Sequence, residues 1–401
     1  MSLAPGQQIE LQVEKPASGG RMIARHEGQV VLVLGAIPGE RVIARVERAD
    51  RRLAFARATA VLDASEDRRV AVADPLCGGC LYAHIQYARQ RALKSEVIGD
   101  AFLRIGRIPL TGPVPVAGSP EQGYRMRARL HVRGDRVGFY REGTHDLCDA
   151  SATSQLRRET IEAAARAVRD AAAAAMQASA VEVSENIAGD QIGMQVELTS
   201  GGHLSAGDPS VADPLHVLTN GRAPAGELRR TPSSFFQANR YLLPQLVAMA
   251  LDRVLPEGGV LDLYAGVGLF SIALAGSGRT GIIAVEGDRS AGADLAANAE
   301  QFGGQVRAMR SGVEEYLSRQ RGAVEPTLIV DPPRTGISRA AMEAIARCGA
   351  QRIVYVSCDP PTMARDARRL LDGGYRLVSL DGFDLFPNTP HVETVGVLDR
   401  A

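Results

Sequence analysis

Apolar and polar positions alternate through Ile9-Glu10-Leu11-Gln12-Val13, and a second short run follows at Val30-Val31-Leu32-Val33-Leu34. Gly19-Gly20 and Ile37-Pro38-Gly39-Glu40 punctuate these runs, so residues 6–65 predict a small β-barrel of short strands. An amphipathic helix is expected from Gln86 to Arg104, ended by Ile105-Gly106-Arg107-Ile108-Pro109. Tyr124 to Val132 alternates bulky with basic residues, as a strand with arginines on one face would, and a second strand at Val137-Gly138-Phe139-Tyr140 follows the Gly134-Asp135 turn. The alanine-rich stretch 155–178 has a helical pattern, and Gly193 to Leu198 alternates like a strand. Together these describe an α+β middle region.

Beyond residue 225 the pattern becomes strand, glycine or proline turn, helix, repeated. Val260-Leu261-Asp262-Leu263 leads into Tyr264-Ala265-Gly266-Val267-Gly268, and Ile282 to Glu286 forms the next strand. Thr327 to Val330 stops at Asp331-Pro332-Pro333-Arg334, Ile353 to Val356 stops at Ser357-Cys358-Asp359-Pro360-Pro361, and a last strand covers about 392–398. Such alternation predicts an α/β domain with a largely parallel sheet. The expected organisation is a barrel over 1–66, a middle α+β domain over 67–225 and an α/β domain over 226–401.

Composition changes this picture little. The 401 residues suggest roughly two or three domains. No apolar run approaches roughly eighteen residues, so no membrane helix is expected. With no signal pattern at the N-terminus, the expectation is a cytoplasmic protein. Formal charge is zero, so contact with nucleic acid has to come from local patches such as Arg41, Arg45, Arg48, Arg51, Arg52 and Arg57. A solvated charged face is the alternative reading of those arginines. The five cysteines, Cys77, Cys80, Cys148, Cys348 and Cys358, are odd in number and unevenly spread, which argues against a secreted disulfide framework.

Candidate chemistry gathers at the strand ends. Gly266 and Gly268 let the backbone approach a ligand, but the third glycine of the dinucleotide fingerprint is missing. Glu286 ends the following strand where ribose hydroxyls need a carboxylate, so strand, turn, helix and acid describe an adenosine-binding half-site. Cys358 stands between a strand's carboxyl end and a helix start, a setting that favours thiolate; read structurally, it is a small side chain at a strand end. Arg334 occupies the position after Asp-Pro-Pro where enzymes that methylate exocyclic amines carry an aromatic ring, which leaves carbon chemistry open. Cys77-Gly78-Gly79-Cys80 suits a metal or an iron–sulfur cluster, with redox or structural thiols as the alternative.

These motifs resemble the RNA uracil-5 methyltransferases that use S-adenosylmethionine, and the N-terminal stretch, with Gly19 to Gly28 and Ala36 to Glu40, resembles a TRAM domain, an OB-like RNA-binding barrel. The likeness is carried by Phe235-Phe236-Gln237, Asp262 to Gly268, Asp331 to Arg334, Ser357 to Pro360 and His391-Val392-Glu393. It implies a Rossmann-like class I methyltransferase domain. It also implies that Gln237, Tyr264, Glu286 and Asp331 contact S-adenosylmethionine, with Gly266 and Gly268 in its turn. Cys358 is implied as the nucleophile that adds to uracil C6, and Glu393 as the base that removes the C5 proton. The implied partner is ribosomal or transfer RNA. Members with an iron–sulfur cluster carry two further cysteines where this chain has Ala71 and Thr153. Cys148 sits five residues early, so the expectation is against a standard four-cysteine cluster on Cys77 and Cys80. Two other readings stay open: an RNA-binding or chaperone protein with a silent methyltransferase fold, and an RNA cytosine-5 methyltransferase.

Overall fold

The computed structural model describes residues 3–205, 208–320 and 325–401. Five strands, Gln8–Pro16, Met22–His26, Gln29–Leu34, Leu53–Asp63 and Arg41–Ala49, close into a barrel in that spatial order. Alternation drives the closure: Ile9, Leu11 and Val13 point into the core while Gln8, Glu10 and Gln12 face out. A closed barrel leaves no unpaired strand edge. Its lower turn is held by Glu40, whose buried carboxylate accepts from Ile37 N at 2.8 Å and pairs with Arg68 at 2.6 Å.

A six-stranded sheet follows, in the order 203–204, 192–198, 178–185, 127–133, 136–140 and 147–149. Ala128, Leu130, Val137, Val181 and Val183 lie on one face and pack against Ala164, Val168 and Ala171 of the helix Arg158–Ala173. That helix is shorter than the alanine-rich pattern predicts. Residues 155–157 are drawn into other bonds, Gln155 Oε1 accepting from Arg125 and Arg157 pairing with Glu185, and Ala175 adopts a left-handed φ of 56° just past the C-terminus.

The third unit is an eight-stranded sheet with the order 306–310, 282–286, 260–263, 327–330, 352–357, 393–400, 375–383 and 116–117. The first five strands are parallel, and Glu393–Arg400 inserts antiparallel between Arg352–Ser357 and Tyr375–Phe383. Residues from 87 to 117 contribute to this unit as well. Val116 pairs with Gly382, and Ile98, Phe102, Ile108 and Val114 share a core with Leu261, Tyr355 and Leu398. The helix Tyr87–Ala101 and its continuation Phe102–Gly106 therefore pack on the C-terminal unit, against the helix Pro360–Asp372 and the edge strand 116–117.

Candidate active site

Five strand ends of the C-terminal sheet, carrying Tyr264, Glu286, Asp331, Cys358 and Glu393, build the site together with the loop that holds Phe235 to Gln237. The strand Val260–Leu263 is fully buried and runs into a turn whose non-glycine member, Tyr264, has a φ of 62°. Such a backbone is costly for a tyrosine and is held by its surroundings. Gly266 (φ 58°) and Gly268 (φ 94°) complete the turn for different reasons. A Cβ on Gly268 would meet Ile272 and Leu295 at 2.8 Å, so that glycine serves packing. A Cβ on Gly266 would meet nothing closer than Phe235 O at 4.0 Å, so the backbone there opens on a cavity. Glu286 locks the turn by accepting from Gly266 N at 2.7 Å and from Asp288 N at 2.6 Å.

The cavity has a volume of about 620 Å³ and is lined by Gln237, Tyr264, Gly266, Glu286, Asp331, Cys358 and Glu393. The seven residues expected to hold or attack ligands here, besides Gly268, come from six segments at least twenty residues apart in sequence. Gly268 lies beneath the turn. Arg127, Ser233, Phe235 and Arg334 also line the cavity. Arg127 belongs to a different sheet, and no local motif in its strand points to this site. Phe235 stands in the Phe235-Phe236-Gln237 motif and is left 61% exposed beside a buried Phe236.

Burial and mutual repulsion govern the site's protonation. The Cys358 thiol is pushed up to about 11 by burial and by the Glu393 and Asp331 carboxyls, with the Arg334 guanidinium pulling the other way. The helix start at Pro360, capped by Asp359 accepting from Thr362 N at 3.0 Å, does not prevail over these effects. Cys358 therefore rests as a thiol. Glu393, 2% exposed, has its carboxyl raised well above the usual range by burial and by Asp331, opposed by Arg334, and its Oε1 has no hydrogen-bond partner among the described residues. Asp331 is raised by burial and by Asp262 and Glu286, and accepts from Gln237 Nε2 at 3.5 Å. Behind them Asp262 is pushed up to about 7 by burial, although Ser271 Oγ donates to it at 2.5 Å. A cavity bordered by carboxyls whose ionisation burial suppresses suits a reaction that moves a proton.

Cys77, Cys80 and Cys148 do not line this cavity. The structure groups them differently from a Cys77–Cys80 metal pair: Cys77 is joined to Cys148, and Cys80 stays a buried free thiol, pushed up to about 11 by burial. Gln155 Nε2 donates to Gly79 O at 2.7 Å and to Cys80 Sγ at 3.6 Å. Thr153 Oγ1 donates to Ala150 O at 2.8 Å, and Ala71 has no ligating atom. These residues do not fit a four-cysteine cluster, and among the described residues no group of three or more His, Cys, Asp or Glu side chains is arranged as a metal site. Cys348 lies just after the helix Arg339–Arg347, half-buried, its thiol donating to Ile345 O at 2.9 Å.

The strand order, the glycine turn and the acid after the second strand define a class I S-adenosylmethionine-dependent methyltransferase behind a TRAM barrel. Residues 222–401 match the family described as tRNA (Uracil-5-)-methyltransferase, and residues 3–59 match the TRAM domain. A 23S rRNA (uracil(1939)-C(5))-methyltransferase of Pseudomonas entomophila is 33% identical over 98% of this chain and 94% of its own length. An uncharacterised RNA methyltransferase of Streptomyces coelicolor is 35% identical, covering 99% and 93%. In fold, the tRNA (uracil-54, C5)-methyltransferase of Pyrococcus abyssi, solved with S-adenosyl-L-homocysteine, superposes with a TM-score of 0.74 at 24% identity over 97% of this chain and 99% of its own. The chain belongs to the RNA uracil-5 methyltransferase family, and its methyl donor is S-adenosylmethionine.

Proposed function

We propose that the protein methylates C5 of one specific uridine in ribosomal or transfer RNA, with Cys358 as nucleophile and Glu393 as general base. The observation that carries this reading is that Cys358, Glu393 and Arg334 border the same cavity as the glycine turn and Glu286. Uracil C5 is a weak nucleophile until a group adds at C6. Cys358 gives up its thiol proton to water, its sulfur bonds to C6 as the C5–C6 π bond opens, and the resulting charge spreads over C5 and O4. S-adenosylmethionine supplies an electrophilic methyl group on a sulfonium. Gln237, Tyr264, Glu286 and Asp331 are the residues that would hold it. Once C5 carries the methyl, the Glu393 carboxylate takes the C5 proton. The C5–C6 double bond then re-forms and the sulfur leaves as thiolate.

Arg334 serves both steps. Its positive charge favours the thiolate form of Cys358 and the ionised form of Glu393, each otherwise suppressed by burial. A stacked uridine cannot present C6 to a half-buried thiol, so the target is single-stranded or flipped out of its helix. The reading also places the protein in the cytoplasm. Among the described residues no helix is long and apolar enough to cross a membrane.

Comparison of 5-methyluridine across ribosomal and transfer RNA from strains with and without the gene tests the assignment. The expected outcome is loss of the modification at one site. Unchanged 5-methyluridine together with a lost 5-methylcytidine would assign cytosine instead.

A further inference from the structure

Strand pairing in the middle sheet puts its apolar side chains on the face covered by the helix Arg158–Ala173, and sends Arg127, Arg129, His131 and Arg133 to the other face. Across the next strand, Gly138 pairs with His131 and Arg136 with Arg133, so Tyr140 joins the same face. There His131 and Tyr140 stack with ring centroids 3.7 Å apart and planes at 11°, and the exposed His145 meets Tyr140 edge-on at 5.3 Å. His131 is held below its ordinary value by burial and by Arg129, so at neutral pH it presents a neutral aromatic ring. At the inner end of this row, the Arg127 guanidinium lies 5.7 Å from the ring centre of Phe235, and both border the catalytic cavity. A row of flat side chains thus runs from the cavity mouth outward, spanning roughly 13 Å from Arg127 to His131 at the rise of an extended strand.

Charge on the face is only partly free. Glu197 pairs with Arg129 at 2.6 Å, and Asp149 lies 3.6 Å from Arg136. Arg127 and the exposed Arg133 form no ion pair among the described residues. A face with few unpaired cations and a stacked pair of rings holds a nucleic acid through its bases more than through its phosphates.

We propose that this face is the docking surface for the single-stranded RNA nucleotides adjoining the target uridine, with a base stacked on the His131–Tyr140 pair. The proposal rests on the uridine-methylation reading for its occupant, and its continuity with the cavity through Arg127 argues for RNA over a protein partner. Aromatic stacking on such a surface tolerates any base, so the contact sets the path of the strand and leaves the choice of uridine to the cavity.

The test is fluorescence anisotropy with a 5′-fluorescein oligouridylate of about twelve nucleotides, using the full chain. Tyr140→Ala is expected to weaken binding roughly 5- to 100-fold, while Tyr140→Phe restores it. Arg133→Gln is expected to reduce the slope of log Kd against log salt by about 0.7, the contribution of one phosphate contact on a single strand. Thermal melting of each variant separates lost docking from lost folding, and His131→Ala provides a second variant if Tyr140→Ala melts early. Unchanged affinity in folded Tyr140→Ala and His131→Ala, or a change of oligomeric state in their place, overturns the proposal. A parallel assay follows covalent capture of RNA containing 5-fluorouridine by the unaltered protein. Capture with unchanged affinity in the variants refutes the docking surface alone. Tyr140-dependent binding without capture refutes the methylation reading and leaves the RNA-docking surface standing.

Discussion

Gln90 and Asn388 bind each other twice across 298 positions: Gln90 Nε2 donates to Asn388 Oδ1 at 3.0 Å, and Asn388 N donates to Gln90 Oε1 at 2.8 Å. The surrounding loop is gripped from several distant segments. Asn239 Nδ2 donates to Leu385 O, Lys94 Nζ to Phe386 O, Tyr124 Oη to Pro387 O and Tyr82 N to Asn388 O. Asn388 itself sits at a left-handed φ of 65°, tolerable for asparagine. This loop delivers Glu393 to the cavity, so the N-terminal helix acts on a residue it never touches. Gln90→Leu should leave the Asn388 N–H without its acceptor in a buried site, while Asn388 Oδ1 keeps the Arg69 guanidinium, and destabilise the protein by about 1–3 kcal/mol. Turnover should fall more than affinity for S-adenosylmethionine, checked by denaturant melts alongside kcat and KM.

The two catalytic assignments separate in the fate of the RNA adduct. Glu393→Gln should cost roughly 10²–10⁴ in turnover and should accumulate a protein–RNA adduct resistant to denaturing gels, because the C5 proton is not removed. Cys358→Ser should form no adduct even with 5-fluorouridine. An adduct that persists in the serine variant assigns the nucleophile elsewhere.

Protonation at the site makes a signed prediction. Cys358, pushed up to about 11, should react slowly with iodoacetamide at neutral pH and faster as pH rises toward that value, followed residue by residue by mass spectrometry. Arg334→Gln removes the cation that opposes both upward shifts. Its alkylation profile should move further upward. The acidic limb of turnover, set by the need for ionised Glu393, should move upward as well.

The two turn glycines should fail differently. Gly266→Ala meets no atom closer than 4.0 Å but places a side chain at a φ of 58°, so about 1–2 kcal/mol of backbone strain is expected. Titration calorimetry should show weakened S-adenosylmethionine binding in a folded protein. Gly268→Ala collides with Ile272 and Leu295, and its melting temperature should fall further.

In the barrel, burial pushes the Glu40 carboxyl up, but hydrogen bonds from Arg68, Ser65 N and Ile37 N together lower it below its ordinary 4.5. Its stabilising contribution is therefore present above that value and lost as pH falls through the depressed folded value. Glu40→Gln strands the Arg68 guanidinium in a largely buried place and should cost about 3–5 kcal/mol. Acid titrations followed by near-ultraviolet circular dichroism should show the unaltered protein losing that difference below the ordinary value.

The amino-acid sequence by itself determined the barrel, the α/β sheet and the positions of Glu286, Asp331 and Cys358. Each of these depends on local periodicity and on a glycine, proline or cap that ends a strand, and such signals survive without knowledge of distant partners. Only the tertiary structure decided that Arg127 and Phe235 share the cavity, that Cys77 pairs with Cys148, and that the helix Tyr87–Ala101 packs on the C-terminal unit. It also decided that Cys358 rests as a thiol. A helix start predicts the reverse, and the desolvation and the two carboxyls that overrule it come from strands joined only when the sheet assembles. Proximity between segments far apart in sequence arises from burying apolar faces together, and no local pattern encodes it.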